Sequence, residues 1–182
     1  MKARAYFHSE NISFRPLKEE HIPLVYKLHS LPEVAQFNTI GIPESEAKTA
    51  KILVQKIDEY DKTDMGWVLY DKEEEFIGEA GIRLSAERFK KGEISYSLLP
   101  NHWNKGLGTE LAKRLLEYCF NSLNLHRVEA GVAADNLASI RVLEKAGMLC
   151  EGRHQKILPL QQGWTDNFSY AILAENHTKA GI

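Results

Sequence analysis

Asn101-His-Trp-Asn-Lys-Gly-Leu-Gly-Thr-Glu-Leu-Ala-Lys-Arg-Leu-Leu-Glu-Tyr-Cys-Phe120 stands one proline after the run Glu93-Ile-Ser-Tyr-Ser-Leu-Leu99. In the earlier run Ile94, Tyr96 and Leu98 alternate with Glu93, Ser95 and Ser97, the two-residue period of a strand. In the later one apolar side chains recur at Leu107, Leu111, Leu115 and Cys119. Ala112, Leu116 and Phe120 widen that stripe, which has helical spacing. The join is strand, short glycine loop, helix. Such a join aims unpaired backbone N–H groups at one point beyond the helix N-terminus, where the macrodipole places roughly half a positive charge. A phosphate group suits that point. Gly106 and Gly108 are expected to leave no side chain between backbone and ligand. The loop lacks the Lys-Ser/Thr of a Walker loop and the third glycine of a dinucleotide fingerprint. Taken alone, it fits a phosphate site and a plain helix start equally.

The rest of the chain alternates helices and strands. Ile12 to Leu17 reads as a short strand, and Glu19 to Ser30 as a helix that starts late, near Pro23. Leu31 to Pro43 is irregular, and Glu44 to Lys62 is a second helix with Ile52, Leu53 and Ile57 on its inner side. Strands are expected at Met65 to Tyr70 and Phe76 to Leu84 around an acidic turn, then at His126 to Ala133. Asn136 to Ala146 reads as a helix with an Asn cap and Gly147 as its stop. Met148 to Leu158 and Trp164 to Leu173 close the chain as a hairpin around Gln161-Gln162-Gly163. One α/β domain over residues 1–182 accounts for these elements.

Composition narrows the function. The chain has 182 residues, 43% of them hydrophobic, enough for a sizeable core. A net charge of -2 with both signs mixed gives no basic face for nucleic acid. No apolar run approaches the roughly 20 residues that span a membrane, and the first residues carry no signal-like apolar stretch. Cys119 and Cys150 have no metal or redox spacing and read as small core residues. No His pair has metal-ligand spacing, so no metal is expected. A cytoplasmic protein, monomer or homodimer, with neither membrane nor nucleic-acid partner, is the expectation.

Ala133-Ala-Asp-Asn-Leu-Ala-Ser-Ile-Arg-Val-Leu-Glu-Lys-Ala-Gly-Met148 repeats the geometry of a strand running into a capped helix. Two such loops on neighbouring parallel strands open at the same end of a sheet, where α/β ligands bind. With this segment the chain resembles the GNAT superfamily of acetyl-CoA-dependent N-acyltransferases. Within it, the chain is similar to the branch of ribosomal-protein N-terminal acetyltransferases. The likeness spans nearly the whole chain. It rests on Ile94-Ser-Tyr-Ser-Leu-Leu-Pro-x-x-Trp-x-Lys-Gly-x-Gly, Asn136-x-x-Ser139, Glu144-Lys-Ala-Gly-Met-x-x-Glu-Gly152 and Gly163-Trp-x-Asp-x-x-x-Tyr-Ala-Ile-Leu173.

The resemblance implies a mixed, mostly antiparallel sheet of about seven strands with about four helices, and a parallel central pair splayed at the acetyl-CoA site. Acetyl-CoA is then the cosubstrate and a primary amine the acceptor. Backbone amides of Asn104, Lys105, Gly106, Leu107, Gly108 and Thr109 are expected to hold its pyrophosphate. Trp103 stands where the superfamily has Arg or Gln. Lys105, Lys113 and Arg114 either add charge or are solvated helix residues. Leu98, with Leu99 beside it, is expected to carry the N–H that meets the developing oxyanion, and Asn136 to hold the pantetheine arm. Leu143 stands where many members have the Tyr that protonates the thiolate. Ser139 is then the local hydroxyl near sulfur, or else a capping residue. Glu93 is the first candidate for the base and Glu79 the second, with a strand-end surface role for Glu93 also open.

An α-amino acceptor, peptide or small, is expected, because its reference pKa of about 8 lies well below the ~10.4 of lysine. Leu31 to Pro43 and the Gln161–Gly163 turn would wall its groove, with Glu44, Glu46 and Asp166 lending negative charge. The alternative is a non-catalytic acyl-CoA sensor or scaffold of the same fold.

Overall fold

The computed structural model describes residues 5–58 and 63–179. One sheet of eight strands organises them, in the order β1-β2-β3-β4-β5-β6-β8-β7. The strands are β1 (Phe7–His8), β2 (Ser13–Pro16), β3 (Asp64–Tyr70), β4 (Phe76–Leu84), β5 (Lys91–Leu98), β6 (Arg127–Ala133), β7 (Leu149–Leu160) and β8 (Gly163–Leu173). Every neighbouring pair is antiparallel except β5 and β6. Eight strands replace the expected seven. The addition is β1, two residues long and too short to show a period. It is held by Phe7, whose ring stacks on Phe14 at 4.4 Å and on Tyr118 at 4.6 Å.

Four helices have eight residues or more: α1 (Ile22–His29), α3 (Glu46–Asp58), α4 (Leu107–Glu117) and α5 (Leu137–Lys145). Two short ones, α2 (Pro32–Ala35) and α6 (Ala174–Lys179), add to the expected set. Pro23 sits in the first turn of α1, where its missing N–H has no partner to lose. Ile52, expected inside, is 49% exposed. The inward stripe of α3 runs Thr49, Leu53, Ile57 instead, a strict four-residue spacing. Residues 59–62, read as the end of this helix, lie outside the described residues.

The alternation in β3 sends side chains to two cores. Met65, Trp67 and Leu69 pack with Leu111, Leu115 and Leu116 of α4 and Leu143 of α5. Val68 packs on the other side with Val25 of α1 and Leu53 and Ile57 of α3. The sheet is therefore sandwiched, α4 and α5 on one face, α1 and α3 on the other. After Glu117 the helix widens into a π-turn, Tyr118–Ser122, which turns Tyr118, Cys119 and Phe120 inward. Cys150, expected in the core, is exposed because it lies on the edge strand β7. No helix among the described residues is long and apolar enough to cross a membrane.

Candidate active site

β5 and β6 pair at only three positions, Lys91↔Arg127, Gly92↔Val128 and Glu93↔Glu129. β5 continues to Leu98 and β6 to Ala133 with no further pairing between them, so the two strands diverge into a fork. The direction of the free backbone groups follows from the ladders. Leu99 N–H bonds to Ile77 O, so residues 97, 95 and 93 also bond toward β4. Tyr96 and Leu98 therefore turn their amides into the fork, while Ile94 is taken up by the last pairing with β6. On β6, Ala134 N–H bonds to Asp166 O on β8's side, which turns Gly131 and Ala133 into the fork from the other wall. Backbone groups of both polarities line the opening, matching the amides of a pantetheine arm.

The glycine loop lies at the open end. Asn104 and Gly106 have left-handed backbones, φ 59° and 83°. Gly106 is the N-cap of α4 and no side chain caps this helix. Thr109 and Glu110 both donate to Gly106 O, at 3.1 Å each, which leaves the amides of Leu107 and Gly108 pointing outward. The Glu110 carboxylate, in the same first turn, is directed away. It accepts from Ser9 Oγ and Asn11 N at 2.6 Å each and from Asn11 Nδ2 at 2.8 Å. The loop has the geometry to receive a pyrophosphate without a carboxylate opposing it.

Trp103, at the position where Arg or Gln is usual, donates from its indole Nε1 to Leu98 O at 2.8 Å. It thereby ties the loop to the end of β5. Arg114, one of the basic residues near the loop, is used elsewhere: it donates to His8 O, pairs with Glu117 and covers the Phe7 ring. Lys105 is exposed beside the loop. Gly108 also faces a neighbouring helix. A Cβ there would meet Val142 Cγ2 of α5 at 3.2 Å, so its missing side chain admits α5. At Gly106 a Cβ would meet nothing within 4 Å, and the left-handed φ is what demands glycine.

Asn136 caps α5 by accepting from Ser139 N–H at 3.1 Å. Its Oδ1 is thereby engaged, and its amide NH₂ is the group left for a ligand. The hydroxyl of Ser139 takes no part in the cap; it lies 3.3 Å from the Tyr96 hydroxyl across the fork. Burial, eased by the Ser139 contact, pushes the Tyr96 phenol up to about 12. Tyr96 was read from the sequence only as an inward strand position, and nothing in its spacing announces the contact. Leu143, 1% exposed, is a core residue.

The other face of the fork bears the acidic candidates. Glu93 is exposed at the closed end, in a cleft of about 120 Å³ that it shares with Lys56, Asp64, Gly81, Ile82, Arg83 and Ser95. Glu79 pairs with Ser97 near the open end. It lies 2.7 Å from His29 Nε2 of α1, and the two side chains are only 15% and 12% exposed. Burial alone would raise the Glu79 carboxyl, but the hydrogen bond from His29 and the charges of His29 and Lys56 hold it below the usual range. Asp166, expected to attract an amine, is already engaged by Arg153 and by Lys156 N–H at 2.9 Å. Glu44 pairs with Lys48. The two expected groove walls touch: Gln162 Nε2 donates to Gln36 O at 3.3 Å.

Comparison with known proteins bears on this geometry. The family model described as Acetyltransferase (GNAT) domain matches residues 11–149. An uncharacterized N-acetyltransferase, p20, of Bacillus licheniformis is 29% identical over 148 residues, 80% of this chain and 83% of that protein. The putative ribosomal N-acetyltransferase YdaF of Bacillus subtilis is 32% identical over 84 residues, 46% of each chain. The crystal structure of spermidine N-acetyltransferase from Vibrio cholerae, in complex with CoA and spermine, superposes with a TM-score of 0.84. It is 21% identical and covers 92% of this chain and 98% of that one.

Proposed function

The chain belongs to the GNAT acetyltransferase family and is an acetyltransferase, and from that premise we propose how it works and on what. It moves the acetyl group of acetyl-CoA straight onto the α-amino group of a peptide N-terminus or small molecule, within a ternary complex. The observation that carries this reading is the fork: free backbone edges, an uncapped helix N-terminus at its mouth, and hydroxyls and carboxylates on opposite faces. A cytoplasmic location belongs to the same reading.

Acetyl-CoA supplies an acyl carbon already activated by a thiolate leaving group. The amides from Asn104 to Thr109 hold the pyrophosphate, and Asn136 and the fork edges hold the pantetheine arm. Leu98 N–H, on the free edge of β5, stabilises the acetyl oxygen as it gains charge. The amine nitrogen forms the new C–N bond as the C–S bond breaks. Glu93 takes the ammonium proton through water. Ser139 and Tyr96 face the departing sulfur. A phenol held near 12 stays protonated at neutral pH, and it is a far weaker acid than a thiol of reference pKa about 8.5. Tyr96 therefore stabilises the thiolate by donating a hydrogen bond, and solvent completes its protonation. No cysteine offers a covalent route from this face: Cys119 is buried, with its thiol pushed strongly up by burial, and Cys150 lies on the edge strand.

The preference for an α-amine follows from the lower reference pKa, about 8 against ~10.4 for lysine, which leaves far more free base at neutral pH. The likeness to a putative ribosomal N-acetyltransferase supports it. Incubation with acetyl-CoA and a pool of N-terminal peptides, lysine peptides and polyamines tests it by mass spectrometry. Labelling concentrated on α-amines is expected; labelling concentrated on lysine ε-amines or polyamines overturns the preference.

A further inference from the structure

We propose that Glu79, held in place by His29 and Asn38, docks the cationic acceptor amine on the face of the fork opposite Ser139. The inference rests on the acetyltransfer reading and adds the residue that recognises the acceptor's charge.

Asn38 Oδ1 accepts from Ile40 N–H at 2.9 Å, which fixes the orientation of the Asn38 amide. Its NH₂ is then the group that lies 3.4 Å from His29 Nδ1. In the neutral imidazole, Nδ1 is thereby the acceptor and Nε2 carries the proton, which it donates to Glu79 Oε1 at 2.7 Å. Glu79 is a carboxylate largely removed from water, bonded to His29 through Oε1 and with no hydrogen bond at Oε2 among the described residues. Such a charge is costly unless a cation or hydrogen bonds answer it.

Three other carboxylates of the sheet have a guanidinium or ammonium in contact. Glu129 has Lys91 and Arg127, Glu151 has Arg127, and Asp166 has Arg153. For Glu79 the nearby positive side chain is Lys56, whose Nζ lies over Gly81, 3.6 Å from where a Cβ would stand.

Position completes the case. Glu79 and Ser97 are ladder partners, so Glu79 stands one strand from the fork at its open end. Glu93 is four residues farther along β5, roughly 13 Å away at the rise of a strand. Asn38 belongs to the segment that leans on the β7–β8 turn through Gln36 and Gln162. The chain from Asn38 to Glu79 therefore links the acceptor wall to the sheet. An ammonium reaching the fork from this face meets Glu79 beside Ser97, and Glu93, farther along the strand, receives its proton through a chain of waters.

Calorimetry of alaninamide binding to the protein–coenzyme A complex tests the assignment, with Glu79→Gln and Glu93→Gln compared. Glu79→Gln is expected to weaken alaninamide at least tenfold and leave coenzyme A affinity unchanged. Glu93→Gln is expected to lower kcat while alaninamide still binds. Alaninamide binding that is unaltered in Glu79→Gln, or absent in the wild type, overturns the docking role. If the wild type binds alaninamide but acetylates no amine, the acetyltransfer reading falls and the docking role stands. A second measurement needs no variant: choline should displace alaninamide from the wild-type complex, and its neutral isostere 3,3-dimethyl-1-butanol should not. Equal displacement by the two would also overturn the assignment.

Discussion

Tyr96 and Ser139 come from a strand and a helix whose chain positions are 43 residues apart, and their hydroxyls meet at 3.3 Å where the strands part. If both serve the departing sulfur, Tyr96→Phe and Ser139→Ala should each lower kcat about three- to tenfold, the net worth of one hydrogen bond at ~0.5–1.5 kcal/mol. The Michaelis constant for acetyl-CoA should change less. Because the two hydroxyls touch, the double variant should lose less than the product of the single losses. Wild-type kcat in both single variants would return Ser139 to packing and Tyr96 to the core. At this scale the sequence was half legible. Ser139 and the missing tyrosine at Leu143 follow from motif positions. Tyr96 was hidden, because an inward strand tyrosine reads the same whether or not a hydroxyl waits opposite it. His29 and Asn38 were hidden for related reasons: His29 ends a helix whose period does not name its partner, Asn38 sits in the irregular segment, and only the fold brings them to Glu79.

The loop and helix from Asn104 to Glu117 were the most legible element, and its two glycines are required for different reasons. Periodicity tells that a glycine is needed but not which neighbour needs the space. Gly106 needs its left-handed φ, and Gly108 admits Val142 of α5. The two variants should separate accordingly. Gly106→Val, strained at φ 83°, should weaken coenzyme A binding at least tenfold, about 1.4 kcal/mol. Gly108→Val should push α5 from α4 and lower the Tm. A folded Gly106→Val protein with unchanged coenzyme A affinity would move the pyrophosphate site away from this loop.

Across the whole molecule, the order of elements and the hairpin at the end of the chain were readable, because each depends on local period and turn chemistry, while the parallel pair followed from the family resemblance. Long-range contacts were not. Gln36 and Gln162 lie 126 positions apart, and the Glu110 tether to Ser9 and Asn11 joins α4 to the turn after β1 across about a hundred. These contacts shape the proposed acceptor wall and the loop's surroundings, and local sequence carries no sign of them. Direct attack of an amine on acetyl-CoA, within a fork that holds both, has a kinetic readout. Initial rates of thiol release are measured while acetyl-CoA and an alanine N-terminal peptide are varied together. Intersecting double-reciprocal lines are expected, with one acetylated peptide formed for each thiol released. Parallel lines, the mark of an acetylated enzyme intermediate, would contradict it.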